Sequence, residues 1–239
     1  MKLAVVGYGK MGHEVEAVAR ERGHEPVCID LGQSFPAGCG VGIDFTQPEA
    51  VVANVRAALA AGARYVVGTT GWTHKQDEVR RLVEEARGGL VHAANFSLGV
   101  NLYYRIVKQA AALMARFAEY DPYVLEKHHR QKKDAPSGTA KVLAQIVETS
   151  GGPRRRSVEA FEGAIPQDAF HVAAVRGGGI IGEHVVGFDS GTDEILIEHR
   201  ARTRRGLATG AVIAAEWIAT RTGVYGFDAI IDDLTRSAS

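Results

Sequence analysis

The sequence predicts an α/β chain: a doubly wound parallel sheet joined to a second, α+β region with an open mixed sheet. Three observations predict it. The N-terminal part alternates short apolar runs with helical stripes. Its first apolar run leads directly into Gly7-Tyr8-Gly9-Lys10-Met11-Gly12. Beyond residue 98 the order changes to a long helix, a compact turn into another helix, and then a series of strands. The expected division is residues 1–97 with 205–239 as one domain and 98–204 as the other.

Residues 3–6 form a continuous apolar run, as in a parallel strand buried on both faces. A helix is expected over residues 10–22, stopped by Gly23. Pro26-Val27-Cys28-Ile29-Asp30 reads as a second strand ending in an acid. Strand, G-x-G-x-x-G, helix, strand, acid is the Rossmann-like, dinucleotide-binding order. The glycines permit a tight turn and close approach of a pyrophosphate, and Asp30 reaches toward the ribose hydroxyls. Residues 41–45 are the next strand. Thr46 and Glu49 suggest a capping box, and Val51, Val55 and Leu59 a helical stripe.

Residues 65–67 form a strand ending at Gly68-Thr69-Thr70, and a helix follows from Thr73 to about Arg87. Residues 90–92 form another, ending at Ala93-Ala94-Asn95-Phe96. In a doubly wound sheet ligands lie beyond the carboxyl ends of the strands, so both loops fall on the cofactor side. Turn chemistry alone would also use such residues. From Gly99 a long helix carries Leu102, Ile106, Ala110, Leu113 and Phe117, a stripe read as core packing. Strands are expected over 170–176, 184–188 and 194–199, the last two joined by a hairpin loop. The glycine-dense residues 176–184 read as a loop that approaches a ligand or as a loose connection. Leu207, Ala211, Ala214 and Ile218 mark a final amphipathic helix packing back on the first domain.

Composition narrows the function. The 239 residues are 46% hydrophobic and 23% charged, with zero formal net charge. That balance gives a nucleic-acid partner no electrostatic support. The runs Lys132-Lys133, Arg154-Arg155-Arg156 and Arg202-Thr203-Arg204-Arg205 are the densest basic patches, and the middle one reads as a solvated loop. Cys28 and Cys39 fit neither a disulfide scaffold nor a zinc motif, so no metal is expected. No apolar stretch reaches membrane-spanning length, and the start lacks a signal peptide, so the cytoplasm is the expected compartment.

The chemistry concentrates at residues 126–140, Glu-Lys-His-His-Arg-Gln-Lys-Lys-Asp-Ala-Pro-Ser-Gly-Thr-Ala. It opens directly after the strand-like run Tyr123-Val124-Leu125 and enters a helix at Ser137-Gly138-Thr139. Ser caps a helix well, and the free N–H groups behind it attract carboxylate or phosphate. Two histidines and a lysine bring proton donors and positive charge. A small dianion held there can be protonated in place.

This stretch resembles the signature of the 4-hydroxy-tetrahydrodipicolinate reductase family, E-x-H-H-x-x-K-x-D-A-P-S-G-T-A. Supporting matches are Asp44-Phe45-Thr46, Gly68-Thr69-Thr70-Gly71, Asn95-Phe96-Ser97, Val175-Arg176-Gly177-Gly178 and Gly182-Glu183-His184, in family order along nearly the whole chain. The resemblance implies reduction of a small ring dicarboxylate in lysine and diaminopimelate biosynthesis. It implies His128 as the general acid, Lys132 as its catalytic partner, and His129, Gly138 and Thr139 as the grip on the carboxylates. Gly7, Tyr8, Gly9, Lys10, Met11, Gly12, Asp30, Gly68, Thr69, Thr70, Ala93, Ala94, Asn95 and Phe96 carry over as contacts of NADH or NADPH. It also implies a homotetramer.

The chain departs from the family pattern in three places. Its glycine loop is one residue shorter than in many members. Leu31 stands where an Arg often meets the 2′-phosphate of NADPH, and Asp30 repels that phosphate, with Lys10 a partial compensation. NADH preference or dual use is therefore expected. Leu207 replaces an aromatic three residues after Arg204, which leaves Arg204 a candidate contact. The competing readings are another two-domain nicotinamide dehydrogenase and a non-catalytic dinucleotide-sensing regulator. The His-His-x-x-Lys stretch argues against both.

Overall fold

Buried apolar runs and glycine turns build the first sheet in sequence order. The computed structural model describes residues 1–30, 32–154 and 156–236. Strand β1 (Lys2–Val6) is followed by helix α1 (Lys10–Glu21), β2 (Glu25–Ile29), β3 (Val41–Asp44), α2 (Val51–Ala60), β4 (Arg64–Val67), α3 (Gln76–Glu85) and β5 (Gly89–His92). The second region holds α4 (Leu98–Met114), β6 (Asp121–His128), α5 (Gly138–Glu148), β7 (Arg156–Val158), β8 (Ala169–Arg176), β9 (Glu183–Asp189) and β10 (Glu194–Arg200). The chain then forms α6 (Arg205–Ile218), β11 (Gly223–Gly226) and α7 (Phe227–Arg236). It divides into two units, residues 1–98 with the chain from Arg204 onward, and Gly99–Thr203.

The first unit is a parallel six-stranded sheet in the order β11-β5-β4-β3-β1-β2. The order reverses at β1, which pairs β2 on one side and β3 on the other. That is the switch point where nucleotide loops gather. One face is closed by Val15, Val18, Ala211, Ala215, Ile218 and Ile230, and the other by Val51, Val55, Val79 and Val83.

The second unit is a mixed five-stranded sheet, β10-β9-β6-β8-β7. β6 is antiparallel to β9 and parallel to β8. Val124, Phe170, Val172, Val186 and Phe188 face Tyr103, Val107, Leu143 and Val147 in its core.

Several expectations need correction. The stripe on α4 is not the core face: Leu102, Ile106, Leu113 and Phe117 are exposed, and Val100, Tyr103, Val107, Ala111 and Met114 are buried. This helix is apolar on both sides, so the pattern offered two stripes. The capping box at Thr46 does not form. The N-cap of α2 is Ala50, with no side-chain cap, and the Thr46 hydroxyl donates to Asp44 at 2.7 Å. α6 is not the last element, because β11 extends the first sheet and α7 follows. The helix expected from Thr73 begins as a single 3-10 turn, Thr73–Lys75. In the basic run, Arg156 lies on β7, Arg154 pairs with Asp121 at 3.2 Å, and Arg155 falls outside the described residues, as does Leu31.

Candidate active site

The titratable cluster begins on a strand rather than after one. β6 continues through His128, and its two-residue alternation turns Val124, Glu126 and His128 to the buried face. Glu126 is fully buried and His128 is 7% exposed. Register supplies the rest. Glu126 stands opposite His184 on β9, and His128 stands beside Arg176 on β8. A buried carboxylate needs such partners.

Glu126 Oε1 accepts from Arg176 Nη2 at 2.6 Å and from the Ser137 N–H at 3.0 Å. Arg176 also donates to the Asp134 carbonyl at 2.7 Å. These bonds pin the turn ahead of α5 onto the end of β6. The Ser137 hydroxyl lies 3.2 Å from His184 Nε2 and accepts from the Ala140 N–H as the α5 cap. Gly138 is exposed and Thr139 half-buried. Among the described residues nothing accepts from their N–H groups, so the helix start offers two open donors. The Tyr104 phenol reaches the Thr139 side chain.

Burial would raise the Glu126 carboxyl, but the adjacent His184 ring, the Ser137 cap and the Arg176 guanidinium outweigh it and hold the group well below the usual carboxylate range. Burial pushes His128 down to about 4; Glu126 opposes this, and His184, Lys132 and Arg176 add to it. The free site therefore holds a neutral imidazole beside a carboxylate. The Lys132 ammonium pairs with Asp134 at 2.7 Å, and its N–H closes a turn on the His129 carbonyl. His129 is half-buried.

Donor atoms of Glu126, His128 and His184 lie within 4.8 Å of one another, a spacing three ligands of one cation can adopt. The Arg176 guanidinium on the same carboxylate opposes a cation, and the cluster is organised as an acid–base network.

In the first unit the glycine loop is built for backbone approach. A Cβ on Gly7 would stand 2.7 Å from Thr46 Cγ2, and one on Gly12 would stand 2.3 Å from the Gly7 carbonyl. Gly9 caps α1 without a side-chain bond, and a Cβ there would meet nothing within 4 Å. That cradle fits a pyrophosphate. Tyr8 bonds Glu16, Lys10 opens α1, Met11 packs on the core, and Asp30 is exposed at the end of β2. Gly68 is required by the Phe45 ring, 2.2 Å from where its Cβ would stand. The Thr69 hydroxyl is committed to buried Asp44 at 2.9 Å. Thr70 and Ala94 are exposed, Ala93 and Asn95 half-buried, and the Phe96 ring lies in the core. Arg204 is the exposed N-cap of α6.

Sequence reasoning did not single out Glu126, Ser137, Arg176, Gly182 or His184 as site residues, although each stands in a quoted motif. The i, i+2 spacing of Glu126 and His128 was the available signal. Their meeting with His184 and Arg176 depends on strand register.

A parallel sheet with a glycine cradle at its switch point, joined to a unit carrying an acid–base network, defines a two-unit oxidoreductase. Sequence profiles of the dihydrodipicolinate reductase N-terminus and C-terminus match residues 16–96 and 99–231. The chain belongs to the dihydrodipicolinate reductase family, whose members draw on a nicotinamide dinucleotide. A 4-hydroxy-tetrahydrodipicolinate reductase from Christiangramia forsetii is 34% identical, covering 99% of this chain and 100% of its own. A protein of the same name from Methanoregula boonei is 39% identical, covering 79% of this chain and 73% of its own. The structure of a dipicolinate-bound dihydrodipicolinate reductase from Paenisporosarcina sp. TG-14 superposes with a TM-score of 0.76 at 25% identity, over 96% of this chain and 99% of that one. The chain is thus an enzyme, a reductase of lysine and diaminopimelate biosynthesis. Among the described residues no helix is long and apolar enough to cross a membrane.

Proposed function

We propose that this chain reduces its unsaturated ring dicarboxylate with His128 as the proton donor. The first unit binds NADH or NADPH, and the second binds the ring. The observation that carries this reading is the placement of buried His128 at the end of β6, pinned through Glu126 and Ser137 to a helix start with two open N–H donors.

Residues 7–12 hold the pyrophosphate, Asp30 the adenosine ribose, and Gly68, Thr69, Thr70, Ala93, Ala94, Asn95 and Phe96 border the cofactor. Thr69 and Phe96 do so through their backbones, since their side chains are engaged elsewhere. When bound, the nicotinamide supplies a hydride, two electrons with one proton. Gly138 and Thr139 donate to one carboxylate, and His129 supports the grip. Negative charge that builds on the conjugated ring during reduction is stabilised by these donors and by Lys132. His128 then delivers a proton to the adjacent ring carbon, completing the two-electron reduction.

A neutral imidazole is too weak an acid for that step. The arriving dianion is what raises His128 into its charged form, so proton uptake accompanies binding. The same reading, with the family resemblance, gives a cytoplasmic homotetramer built through the sheet of the second unit.

The test is oxidation of NADH or NADPH with freshly generated substrate, in wild type and His128→Gln. The variant should lose about 10²–10⁴-fold in kcat. An unaffected variant removes His128 from the mechanism. A wild type without turnover favours the dinucleotide-sensing reading.

A further inference from the structure

Among the described residues, four buried atoms of this network make no hydrogen bond: Glu126 Oε2, His128 Nδ1, Arg176 Nε and His184 Nδ1. Glu126 Oε2 and His128 Nδ1 are 3.2 Å apart, close enough to satisfy each other. The next ring nitrogen, His184 Nε2, is 3.6 Å from the same oxygen and already has the Ser137 hydroxyl. A small rotation about the soft terminal torsion of His128 aligns its Nδ1–H with Oε2. Pairing them satisfies two buried polar groups at once, which leaving them apart does not. Glu126 itself cannot swing away, because Arg176 and the Ser137 N–H fix Oε1.

The other end of the ring is shaped by Gly182. A Cβ there would stand 3.1 Å from His128 Nε2 and 3.4 Å from Cδ2. Gly182 is not among the positive-φ glycines, so its backbone tolerates alanine. Space beside Nε2, rather than conformational freedom, is what the glycine provides.

We propose that Glu126 and Gly182 set the working orientation of the catalytic imidazole: Glu126 is a positioning residue that fixes the proton on Nδ1, and Gly182 leaves Nε2 open to the substrate ring. This rests on the reading of His128 as the acid. A carboxylate on Nδ1–H forces Nε2 to be the nitrogen that gains and delivers the proton. It also offsets part of the opposition to charging that comes from burial and from His184 on β9, Arg176 on β8 and Lys132 in the turn.

The experiment uses the full-length protein with ¹⁵N-labelled histidine. Imidazole ¹⁵N shifts of His128 are read at neutral pH in wild type and Glu126→Gln, beside steady-state kinetics of Glu126→Gln, Gly182→Ala, His128→Gln and the Glu126→Gln/His128→Gln double variant. The wild-type ring should be the Nδ1–H tautomer, and Glu126→Gln, whose amide can donate, should shift it toward Nε2–H. Glu126→Gln should lose about 10²–10³-fold in kcat, with KM for the ring changed less than about threefold. The double variant should be no slower than His128→Gln alone. Gly182→Ala should lose at least about tenfold in kcat while keeping the wild-type tautomer. A wild-type Nε2–H tautomer, or losses that multiply in the double variant, overturns the proposal. Full activity in His128→Gln overturns the acid reading instead, and the tautomer measurement still decides whether Glu126 holds the ring. If Glu126→Gln does not fold, the wild-type tautomer and Gly182→Ala decide.

Discussion

Glu126 and His184 stand directly opposite each other on the antiparallel pair β6 and β9, with Oε2 3.6 Å from Nε2 and both side chains buried. This cross-strand pair ties the strand carrying His128 to the one that follows the glycine-rich loop. The loop closes on the same place: the Gly177 N–H donates to the His128 carbonyl at 2.9 Å, and the Arg130 N–H to the Gly178 carbonyl at 3.3 Å. The segment around His128 is therefore held by backbone on one side and by an ionic network on the other.

Acid should loosen this network first. His128 falls to about 4 in the fold from an ordinary 6.5, and Glu126 is held below its ordinary 4.5. Both folded values are depressed, so the stability they contribute is complete above the ordinary values and is lost as pH falls. For His128 the loss runs from 6.5 toward 4 and amounts to something on the order of 3 kcal/mol. Hydrogen exchange at the β6 amides should accelerate over that window in wild type and much less in His128→Gln. A flat wild-type profile from pH 7 to 4 would contradict the buried neutral imidazole.

Ligand binding should take up protons for the same reason. The free protein holds His128 neutral at pH 7, and a dicarboxylate beside it favours the charged ring. Affinity for pyridine-2,6-dicarboxylate should therefore rise as pH falls from 8 toward 6. Calorimetry in buffers of different ionisation enthalpy should give net uptake approaching one proton near neutrality, abolished in His128→Gln. Binding without proton exchange would separate the dicarboxylate from His128.

Much of the first unit was legible because each strand is a short apolar run closed by glycine or a small polar loop. The glycine cradle and the α5 cap at Ser137 were legible too, as local chemistry at fixed spacing. What failed was tertiary. Nothing local distinguishes the Leu102–Ile106 side of α4 from the Val100–Val107 side, since both are apolar and the choice depends on where the sheet lies. β11 is Gly223-Val224-Tyr225-Gly226, too short to show a period. Glu126, Arg176 and His184 meet only through register, which one sequence does not display.

On the proposed placement of the adenosine ribose, cofactor choice should turn on the end of β2. Asp30 is exposed there, and its charge opposes a 2′-phosphate while suiting free ribose hydroxyls. kcat/KM should favour NADH or be similar for the two cofactors. Asp30→Asn should raise the NADPH efficiency relative to NADH by about tenfold, the size of one unfavourable charge contact removed. A wild-type preference for NADPH of tenfold or more would reject this reading of Asp30.

The carboxylate grip can be tested by removing a single N–H without touching a side chain. Gly138 is the first residue of α5, where proline is well accommodated because its missing N–H has no partner within the helix. Ser137 has φ −68 and ψ 163, an extended conformation that a following proline also demands. A Cβ at residue 138 meets nothing within 4 Å, so Gly138→Pro should fold with the Ser137 cap intact. It deletes one donor to a charged oxygen, a bond of about 1.5–3 kcal/mol. The inhibition constant of pyridine-2,6-dicarboxylate should rise by about 10- to 100-fold, with NADH affinity unchanged. Thermal stability should stay within about 1 kcal/mol of wild type, because the lost N–H was open. Unaltered inhibition in a folded Gly138→Pro protein would move the carboxylate away from this helix start and take the proposed substrate pose with it.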